Sequence, residues 1–537
     1  MPEEITIDLD SIEEAHQLYK QGHLGQAEKI YRNSLLLDRS RGDIYFRLGY
    51  ICLLTQRNDE AIELFEQSLA LSPDDSAMLF ELGSAFLKVN KFSRALECFS
   101  KVLSLDRHHA EAIGKLAYIH LQEGRIADSI QLYKQAIAIN PNHSIHIYNL
   151  ACAYSACSEH DGAIQAFKRV TELEPDNAEA FHHLATTLRG QGQLDEAIST
   201  YEQALSLLPD YAEAHFGLSL ALLLSGHYAR GWEEYEWRVH ALSGLISVPP
   251  FPQWDGQLKF HNGDLLVLSE QGLGDTFQFI RYAPQLKSYF NRVLVYTPQK
   301  LVNILGQSID VDSISECPTI ASKQAARWIP LLSIPRFLGA EHNKPIVSNP
   351  YLHVSTERVK FWRDLFPDNT FIVGLNWQGN PEQEKRVSRG RSFSLSEFEV
   401  LSRIPGLKFI SLQKGAGSEQ METCRFKHVF VDCQAEVDRA WDFIETAAIV
   451  KNCNLVITSD TSLAHLAGAL GQQTWILLKQ LPDWRWGLSG SQTAWYPSAR
   501  LFRQQVAGDW QTVMIEVKQV LEKLVPAERE EDNIKRR

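Results

Sequence analysis

The sequence lacks any Cys-x-x-Cys pair, although eight cysteines are scattered through its 537 residues. Cysteines without metal-binding or redox spacing predict reduced thiols rather than a disulfide framework. The sequence also lacks an apolar run of about 18 residues, the length that a membrane-spanning helix needs. Its acidic first residues have neither the basic nor the apolar region of a signal peptide. We therefore expect a cytoplasmic protein without a transmembrane segment.

Positive charge is also scarce, because 53 lysines and arginines are outnumbered by 66 aspartates and glutamates, which gives a net charge of −13. An acidic chain is a poor partner for nucleic acid, and we expect none. No paired histidine or cysteine–histidine spacing indicates zinc, so we expect neither a metal nor a cofactor. The 44% apolar and 22% charged composition is typical of ordered globular proteins, and the length predicts several domains.

Residues 1–240 repeat with a period of 34. One position of the period is small in every copy: Ala27, Ala61, Ala95, Ser129, Ala163, Ala197 and Gly231. Another, four residues later, is aromatic in every copy: Tyr31, Phe65, Phe99, Tyr133, Phe167, Tyr201 and Tyr235. A small residue lets two helices approach, and the aromatic ring fills the gap to the neighbouring pair. Since prolines also end several copies, the pattern predicts stacked helical hairpins.

This pattern resembles the tetratricopeptide repeat, with six full copies from about residue 8 to 211 and a variant seventh to about 240. The resemblance implies an all-α superhelix over 1–241 whose concave face binds a protein or peptide. We place four residues on that face: Arg47, Lys115, Asn149 and His183. O-GlcNAc transferases carry an asparagine ladder at the matching positions. Only Asn149 keeps it, which implies a different partner; a plain scaffold or oligomerisation surface is the alternative.

A proline-rich stretch, 242–263, ends the repeats, and we interpret it as a linker that Trp254 anchors to the next domain. From residue 264 short apolar strands alternate with helices, which predicts α/β lobes with parallel sheets. We predict strands at 265–268, 293–296, 327–330, 371–377, 408–412, 428–431, 455–458, 474–478 and 500–503. The proposed lobes span 264–360 and 361–524, with a ligand cleft between them and a charged tail at 525–537.

One strand-to-helix turn in the second lobe has the composition of an anion site. An apolar run from Asn454 to Thr458 is followed by Ser-Asp-Thr-Ser and then by a small-residue helix that ends at Gly471. Backbone N–H groups at such a helix start favour a phosphate. A well-capped βα turn without a ligand explains the same residues.

The first lobe opens with a strand and a glycine turn that presents Asp275 at a helix start. The turn lacks the third glycine of a dinucleotide fingerprint, because Phe277 occupies that position, and this argues against NAD. Asp275 is a candidate general base, and a simple helix cap is the alternative.

Cations concentrate in one loop of this acidic protein. The segment from Lys385 to Ser392 holds four basic residues in seven positions, among them Arg391. Together with Lys414 this loop is a candidate for meeting a diphosphate, although a solvated loop is an equal alternative.

Four motifs occur in the order of a known enzyme family: Glu270-Gln-Gly-Leu-Gly-Asp275, Asn376-Trp-Gln-Gly-Asn380, Ser459-Asp-Thr-Ser-Leu-Ala-His465 and Pro482-Asp-Trp-Arg-Trp486. They resemble the bacterial ADP-heptose:lipopolysaccharide heptosyltransferases, glycosyltransferases of GT-B fold with two Rossmann-type lobes. The resemblance implies that Asp275 deprotonates the acceptor. It assigns donor binding to Asp460, Thr461, Ser462 and His465 and places a cation on the diphosphate near Arg391. We add Asn376, from the second motif, and Lys414 to the donor-binding candidates. The family usually carries glycine where Ser462 stands, which puts heptose in doubt.

The combined interpretation is an inverting, metal-independent glycosyltransferase that moves a sugar from a nucleotide-diphosphate sugar to a protein, peptide or glycan acceptor recruited by the repeats. The alternative is a non-catalytic repeat scaffold that carries a degenerate transferase fold. A nucleotide-sugar epimerase with the same lobes is a third, minor hypothesis. The sequence does not name the sugar, the base or the acceptor.

Overall fold

The computed structural model describes residues 9–242, 244, 248–316, 325–339, 349–368, 370–384 and 390–525. The basic segment 385–389 and the tail 526–537 lie outside these ranges. The chain forms two compact units, Met1–Leu188 and Arg189–Arg537. Among the described residues, no helix is long and apolar enough to cross a membrane.

The first unit is built from antiparallel helix pairs with short turns. Its helices are α1 Leu9–Lys20, α2 Leu24–Leu37, α3 Gly42–Leu54, α4 Asn58–Leu71, α5 Ser76–Lys88, α6 Phe92–Leu105, α7 Ala110–Gln122, α8 Ile126–Ile139, α9 Ser144–Ala156, α10 His160–Leu173 and α11 Ala178–Gly190. Five of the seven copies of the small and aromatic period-34 positions lie in this unit, and their side chains are buried. Ala61 and Phe65 are fully buried, and a Cβ added to Gly49 would lie only 2.6 Å from the Phe65 ring. Gly49 on the preceding helix α3 thus leaves room for the aromatic ring of Phe65.

The second unit begins with the remaining repeat helices: α12 Leu194–Leu207, α13 Ala212–Leu224, α14 Tyr228–Tyr235 and α15 Arg238–Ala241. The variant seventh hairpin is real but shortened, because α14 has 8 residues where α12 has 14. Trp232 on α14 packs edge-on against Trp484, with ring centroids 5.3 Å apart. These helices therefore share a core with the α/β lobes, which explains why the two units divide at residue 188. The linker limits at 242 and 263 stay predictions.

Two parallel sheets form the rest of the second unit. The first has the order β3-β2-β1-β4 and the second the order β6-β5-β7-β8-β9. Their strands are β1 His261–Leu268, β2 Phe290–Tyr296, β3 Ser313–Ser315, β4 Ala325–Pro330, β5 Phe371–Asn376, β6 Leu407–Ser411, β7 Leu455–Ser459, β8 Thr474–Leu478 and β9 Ala499–Arg503. The helices between and after them are α16 Leu273–Phe279, α17 Gln299–Gly306, α18 Ile334–Leu338, α19 Thr356–Arg363, α20 Pro381–Gln383, α21 Gln434–Arg439, α22 Phe443–Asn452, α23 Ser462–Ala469 and α24 Trp510–Leu521.

Two strand predictions differ from the structure. The strand predicted at 428–431 is wrong, because Lys427–Val429 closes a 3₁₀ turn and only Phe430 bridges Phe409 in the sheet. The strand Ser313–Ser315 was not predicted, since three mostly polar residues carry no strand pattern. The prediction for Trp254 is confirmed: it is 1% exposed, and its ring lies 5.5 Å from that of Phe290.

A buried ion pair joins the end of the repeats to the first lobe. Arg238 on α15 is fully buried and donates to both carboxylate oxygens of Glu270, at 3.0 and 2.6 Å. Its guanidinium also donates to Ser333 Oγ at 2.8 Å and to the Tyr235 carbonyl at 3.0 Å. Glu270 in turn accepts the Leu332 N–H at 3.1 Å. Because neither charged group is hydrated, each is stabilised in its ionised form by the opposite charge of the other.

We expect Glu270→Gln to destabilise the second unit by about 3 kcal/mol, because it removes the fully buried counter-charge of Arg238 and leaves only the partly exposed carboxylate of Glu236, 3.1 Å from Nη1. All 12 tryptophans lie after residue 231, so denaturation followed by tryptophan fluorescence reports on this unit. Lys287→Gln, which removes an exposed pair with Asp310, is the control and should leave the midpoint unchanged. Equal midpoints for the two variants would contradict the prediction.

Candidate functional site

The second sheet has a topological switch point between β5 and β7. The chain runs from β5 to β6 on one side and then crosses to β7 on the other. Ligands of open α/β sheets bind in the crevice beyond the strand ends at such a point. Asn376 ends β5, and the turn from Asp460 to Ser462 follows β7. The structure therefore brings these predicted residues to the same edge of the sheet.

Hydrogen bonds fix both sides of this crevice. The Asn376 amide oxygen accepts the hydroxyls of Thr461 at 2.9 Å and Thr458 at 3.0 Å. The amide nitrogen donates to Gln413 Oε1 at 2.7 Å. Gln413 also accepts the backbone N–H of Gln378 at 3.0 Å. A continuous polar network thus holds the ends of β5, β6 and β7 in register.

The start of α23 carries no side-chain cap. Thr461 is the N-cap residue in extended conformation, but its side chain makes no capping bond to the helix because its hydroxyl donates to Asn376. Ser462 is the first helical residue and is half-buried. The predicted side-chain cap is therefore absent at this turn, and the helix start presents its backbone dipole to the crevice.

Arg391 lies at the crevice. Its Nη1 donates to the backbone carbonyl of Asp460 at 3.1 Å, and its Nε lies 3.5 Å from a Glu384 carboxylate oxygen. The guanidinium covers Gly379, where an added Cβ would lie 2.7 Å from Nη2. Lys414 is directed differently: its ammonium donates to the Val437 carbonyl, and burial lowers its pKa. Of the two candidate cations, Arg391 is the one that reaches the helix start.

The first lobe contributes Asp275 from α16. One carboxylate oxygen accepts the Gly272 N–H at 2.8 Å, and the other accepts a guanidinium N–H of Arg485. Burial raises the pKa of Asp275, and the Arg485 charge opposes this shift. Arg485 also donates to Gln278 at 2.7 Å and to Asp483 at 2.9 Å. Both the cap and the ion pair are present, so each oxygen of Asp275 has a partner.

Helices α16 and α23 pack directly on each other. A Cβ added to Gly274 would lie 2.8 Å from the His465 ring and 3.3 Å from the Ser462 Cα. His465 is 5% exposed, with its Nδ1 2.9 Å from the Tyr496 hydroxyl and its ring stacked on Trp486. Burial, reinforced by nearby arginines, lowers its pKa well below the ordinary value. The imidazole is therefore neutral at pH 7.

The sequence interpretation missed three charged residues of this region, namely Lys479, Asp483 and Arg485. Lys479 directly follows β8, and the other two belong to a motif for which no role was predicted. Burial lowers the pKa of Lys479, against the charges of Asp460 and Asp483. Burial also raises the pKa of Asp460 to about 6, with Asp483 as the second cause. The signal that could have found Lys479 is its place at the carboxyl end of a strand next to β7.

The four residues predicted for the repeat face occupy one position of four hairpins, on α3, α7, α9 and α11. Arg47, Lys115, Asn149 and His183 are all half-buried. The His183 ring stacks on Phe167 at 5.7 Å, and burial lowers its pKa. This surface therefore mixes charge, amide and imidazole rather than repeating one side chain.

A family model described as the cilia and flagella-associated protein 70 C-terminal domain matches residues 11–220. The first part of the chain is a tetratricopeptide-repeat array. Protein FlbA of Caulobacter vibrioides is 26% identical over 321 residues, which cover 55% of this chain and 52% of that protein. The chain thus spans about half the length of the curated relative it matches.

Two solved structures are similar to part of the chain. One is described as the crystal structure of MamA protein; it is 26% identical with a TM-score of 0.29, and the match covers 32% of this chain and 94% of that one. The other is YrrB, described as a tetratricopeptide-repeat protein with an unusual peptide-binding site. It is 18% identical with a TM-score of 0.31, over 33% of this chain and 92% of that one.

We expect Asp460→Asn to stabilise the second unit at pH 7, by at most about 3 kcal/mol. A carboxyl whose pKa is raised by folding, here to about 6, contributes stability when protonated and loses it as the pH rises through that value. The gain should therefore disappear near pH 4. Thermal unfolding between pH 4 and pH 7, followed by tryptophan fluorescence, measures this gain in stability. The exposed Asp432→Asn is the control, and a variant less stable than the parent at pH 7 would refute the assignment.

Proposed function

We propose that the protein is a repeat scaffold that recruits a protein partner through the face of its helical hairpins. The observation that carries this proposal is the repeat array itself, which a family model matches over residues 11–220. Stacked repeats of this kind expose an extended surface made of equivalent positions. Half-buried polar and charged side chains at those positions supply specificity, and Arg47, Lys115, Asn149 and His183 are the candidates.

The charges on this face favour a partner segment with acidic groups. Arg47 and Lys115 stand at the same position of hairpins two repeats apart. A bound carboxylate gains more beside a half-buried cation than beside a fully solvated one, because the local dielectric is lower. Glu81 lies between them in the repeat order, and its carboxylate accepts the Tyr50 hydroxyl at 2.9 Å, so the preference for acidic groups applies at Arg47 and Lys115 and not at the position between them.

The binding surface is tested by reversing these charges. We expect the double variant Arg47→Glu, Lys115→Glu to lose at least about tenfold in affinity for proteins that copurify with the parent chain, because each reversed charge costs more than a kilocalorie. Quantitative mass spectrometry of the copurified proteins, followed by titration of each against the purified chain, measures the loss. Asp275→Asn is the matched control and should retain every partner. An unchanged partner set in the double variant would contradict the proposal.

A second candidate function is glycosyl transfer by the two lobes, and a specific arrangement favours it. The glycine turn of the first lobe meets the uncapped helix start of the second, with Asp275, His465 and Arg391 around the contact. A helix start and a guanidinium are preorganised to stabilise a departing diphosphate, and a carboxylate opposite them can accept a proton from an acceptor hydroxyl. No metal is needed in such a displacement.

Two features limit this second candidate to an opened arrangement of the lobes. Asp275 is paired with Arg485, so it must exchange that partner before it acts as a base. Gly274 and His465 are in contact, so a sugar nucleotide must separate α16 from α23 to reach the helix start. As long as α16 and α23 are in contact, the lobes are better suited to a structural role than to catalysis. For this reason the scaffold is the first proposal.

Nucleotide binding separates the two functions. If the lobes transfer sugar, a nucleoside diphosphate or its sugar should raise the melting temperature of the second unit by mass action. Arg391→Gln should then weaken binding by about tenfold, since it removes a charge-assisted contact. Asp275→Asn should keep binding but slow donor turnover by at least about 100-fold. Lys287→Gln serves as the surface control.

The opposite results are equally specific. If no nucleotide in a panel of bases and sugars shifts the melting temperature, the transferase candidate fails and the scaffold remains. If a sugar nucleotide binds and turns over equally well with Asp275→Asn, the lobes catalyse transfer with a different base.

A further inference from the structure

One hairpin junction in the first unit departs from the repeat pattern at two positions that touch each other. The position aromatic in most repeats, as at Phe46, Phe80, Tyr148 and Phe216, is glycine at Gly114. The position occupied by Ile44, Met78, Ala112, Ala180 and Ala214 is histidine at His146. A Cβ added to Gly114 would collide with His146 Nε2. The glycine therefore creates the space into which the imidazole edge of His146 projects.

His146 shares this space with two further metal-binding types of side chain. His143 is the N-cap of α9, and its ring stacks on that of His146 with centroids 3.8 Å apart. Glu111 on α7 lies opposite, with one carboxylate oxygen 2.6 Å from His143 Nε2 and the other 3.6 Å from His146 Nε2. The three donor atoms all lie within 4.8 Å of one another.

The hydrogen bonds of the pair leave both Nε2 atoms directed at the carboxylate. His143 Nδ1 accepts the backbone N–H of His146 at 3.3 Å, so the neutral ring carries its proton on Nε2. That N–H also donates to the His143 carbonyl at 3.1 Å, so the longer bond to Nδ1 is dispensable. The proton can therefore move to Nδ1 and free the Nε2 lone pair. His146 is 3% exposed, and its Nδ1 has no hydrogen-bond partner among the described residues.

We propose that Glu111, His143 and His146 bind a divalent transition-metal ion at the junction of α7 and α9. Two imidazole nitrogens and one carboxylate oxygen are the donor set of three-ligand zinc sites, with bonds of about 2.0–2.2 Å. Donor atoms on such an ion lie roughly 3.4 Å apart. Glu111 can move towards the ion because its side chain is 43% exposed, and the His143 ring, 21% exposed, must rotate out of its stack on His146 so that both Nε2 lone pairs converge on the ion. Imidazole selects Zn²⁺, Co²⁺, Ni²⁺ or Cu²⁺ over Mg²⁺ and Ca²⁺.

A second acidic cluster in the same unit shows what distinguishes this one. Glu28, Cys52 and Glu60 also lie close together, but Arg57 and Arg32 already neutralise both carboxylates. At the Glu111 cluster the ligand groups face one another without an arginine between them. Lys115, a turn further along α7, also acts on His146, and its charge partly opposes a bound ion. The fourth coordination position remains open to water or to a side chain of a bound partner.

The test is metal binding by the full-length chain after dialysis against a chelator. We expect Zn²⁺ titrated by calorimetry to occupy one specific site, and Co²⁺ to give the visible absorption of a low-symmetry, nitrogen-ligated ion. Glu111→Gln and His143→Gln should each weaken Zn²⁺ binding at least about tenfold, as the loss of even an outer-shell partner does. The control is Glu179→Gln, which changes the same repeat position two hairpins later and should bind as the parent does.

A second variant tests the geometry without removing a ligand. Gly114→Ala should displace His146 and abolish the site, while circular dichroism verifies that the helices persist. The proposal is overturned if the parent chain binds no Zn²⁺ or Co²⁺. It is also overturned if Glu111→Gln, His143→Gln and Gly114→Ala bind both ions as the parent and Glu179→Gln do.

Discussion

The arrangement of the two lobes depends on the hydrogen bonds and ion pairs that Arg485 makes with both of them. Its guanidinium is 6% exposed and is shared by Asp275 and Gln278 of the first lobe and by Asp483 of its own. A planar fork of fixed donors can satisfy several acceptors at once, which a lysine cannot do. Because these partners sit on α16 and on the segment after β8, one side chain determines how closely the glycine turn approaches the helix start of α23.

Parts of this architecture follow directly from the sequence. The helical hairpins follow from a period that fixes small and aromatic residues at the same register in every copy. The strand before the helix start follows from an apolar run that stops at polar N-cap residues. Both signals are local, and the structure has β7 at Leu455–Ser459 and α23 at Ser462–Ala469. To place Asn376 beside Thr461, one needs to know in addition only the order of the strands in the sheet.

The charged residues of the site were harder to predict, because their roles depend on contacts across long sequence distances. Arg485 and Asp275 are separated by 210 positions, and nothing in either motif indicates the other. Lys414 was a candidate because it is a cation that could join the basic loop on a diphosphate, but the tertiary structure directs its ammonium to the Val437 carbonyl, which the sequence does not indicate. The failed strand at 428–431 has a similar cause, since an apolar run alone does not specify a hydrogen-bonded neighbour. At Gly114 and His146 the departure from the repeat, rather than the repeat, carries the information.

The shortened α14 has a consequence for how the repeat array can vary. Repeat proteins need a terminal unit that closes the exposed end of the stack. Here the hairpins from Leu194 onward share a core with the lobes, through contacts such as Trp232 with Trp484. The lobes thus cover the C-terminal end of the repeat array. The number of repeats can therefore change only before that junction. Duplication or loss of whole 34-residue copies in the first unit would lengthen or shorten the array of hairpins and leave the core that α12–α15 share with the lobes unchanged.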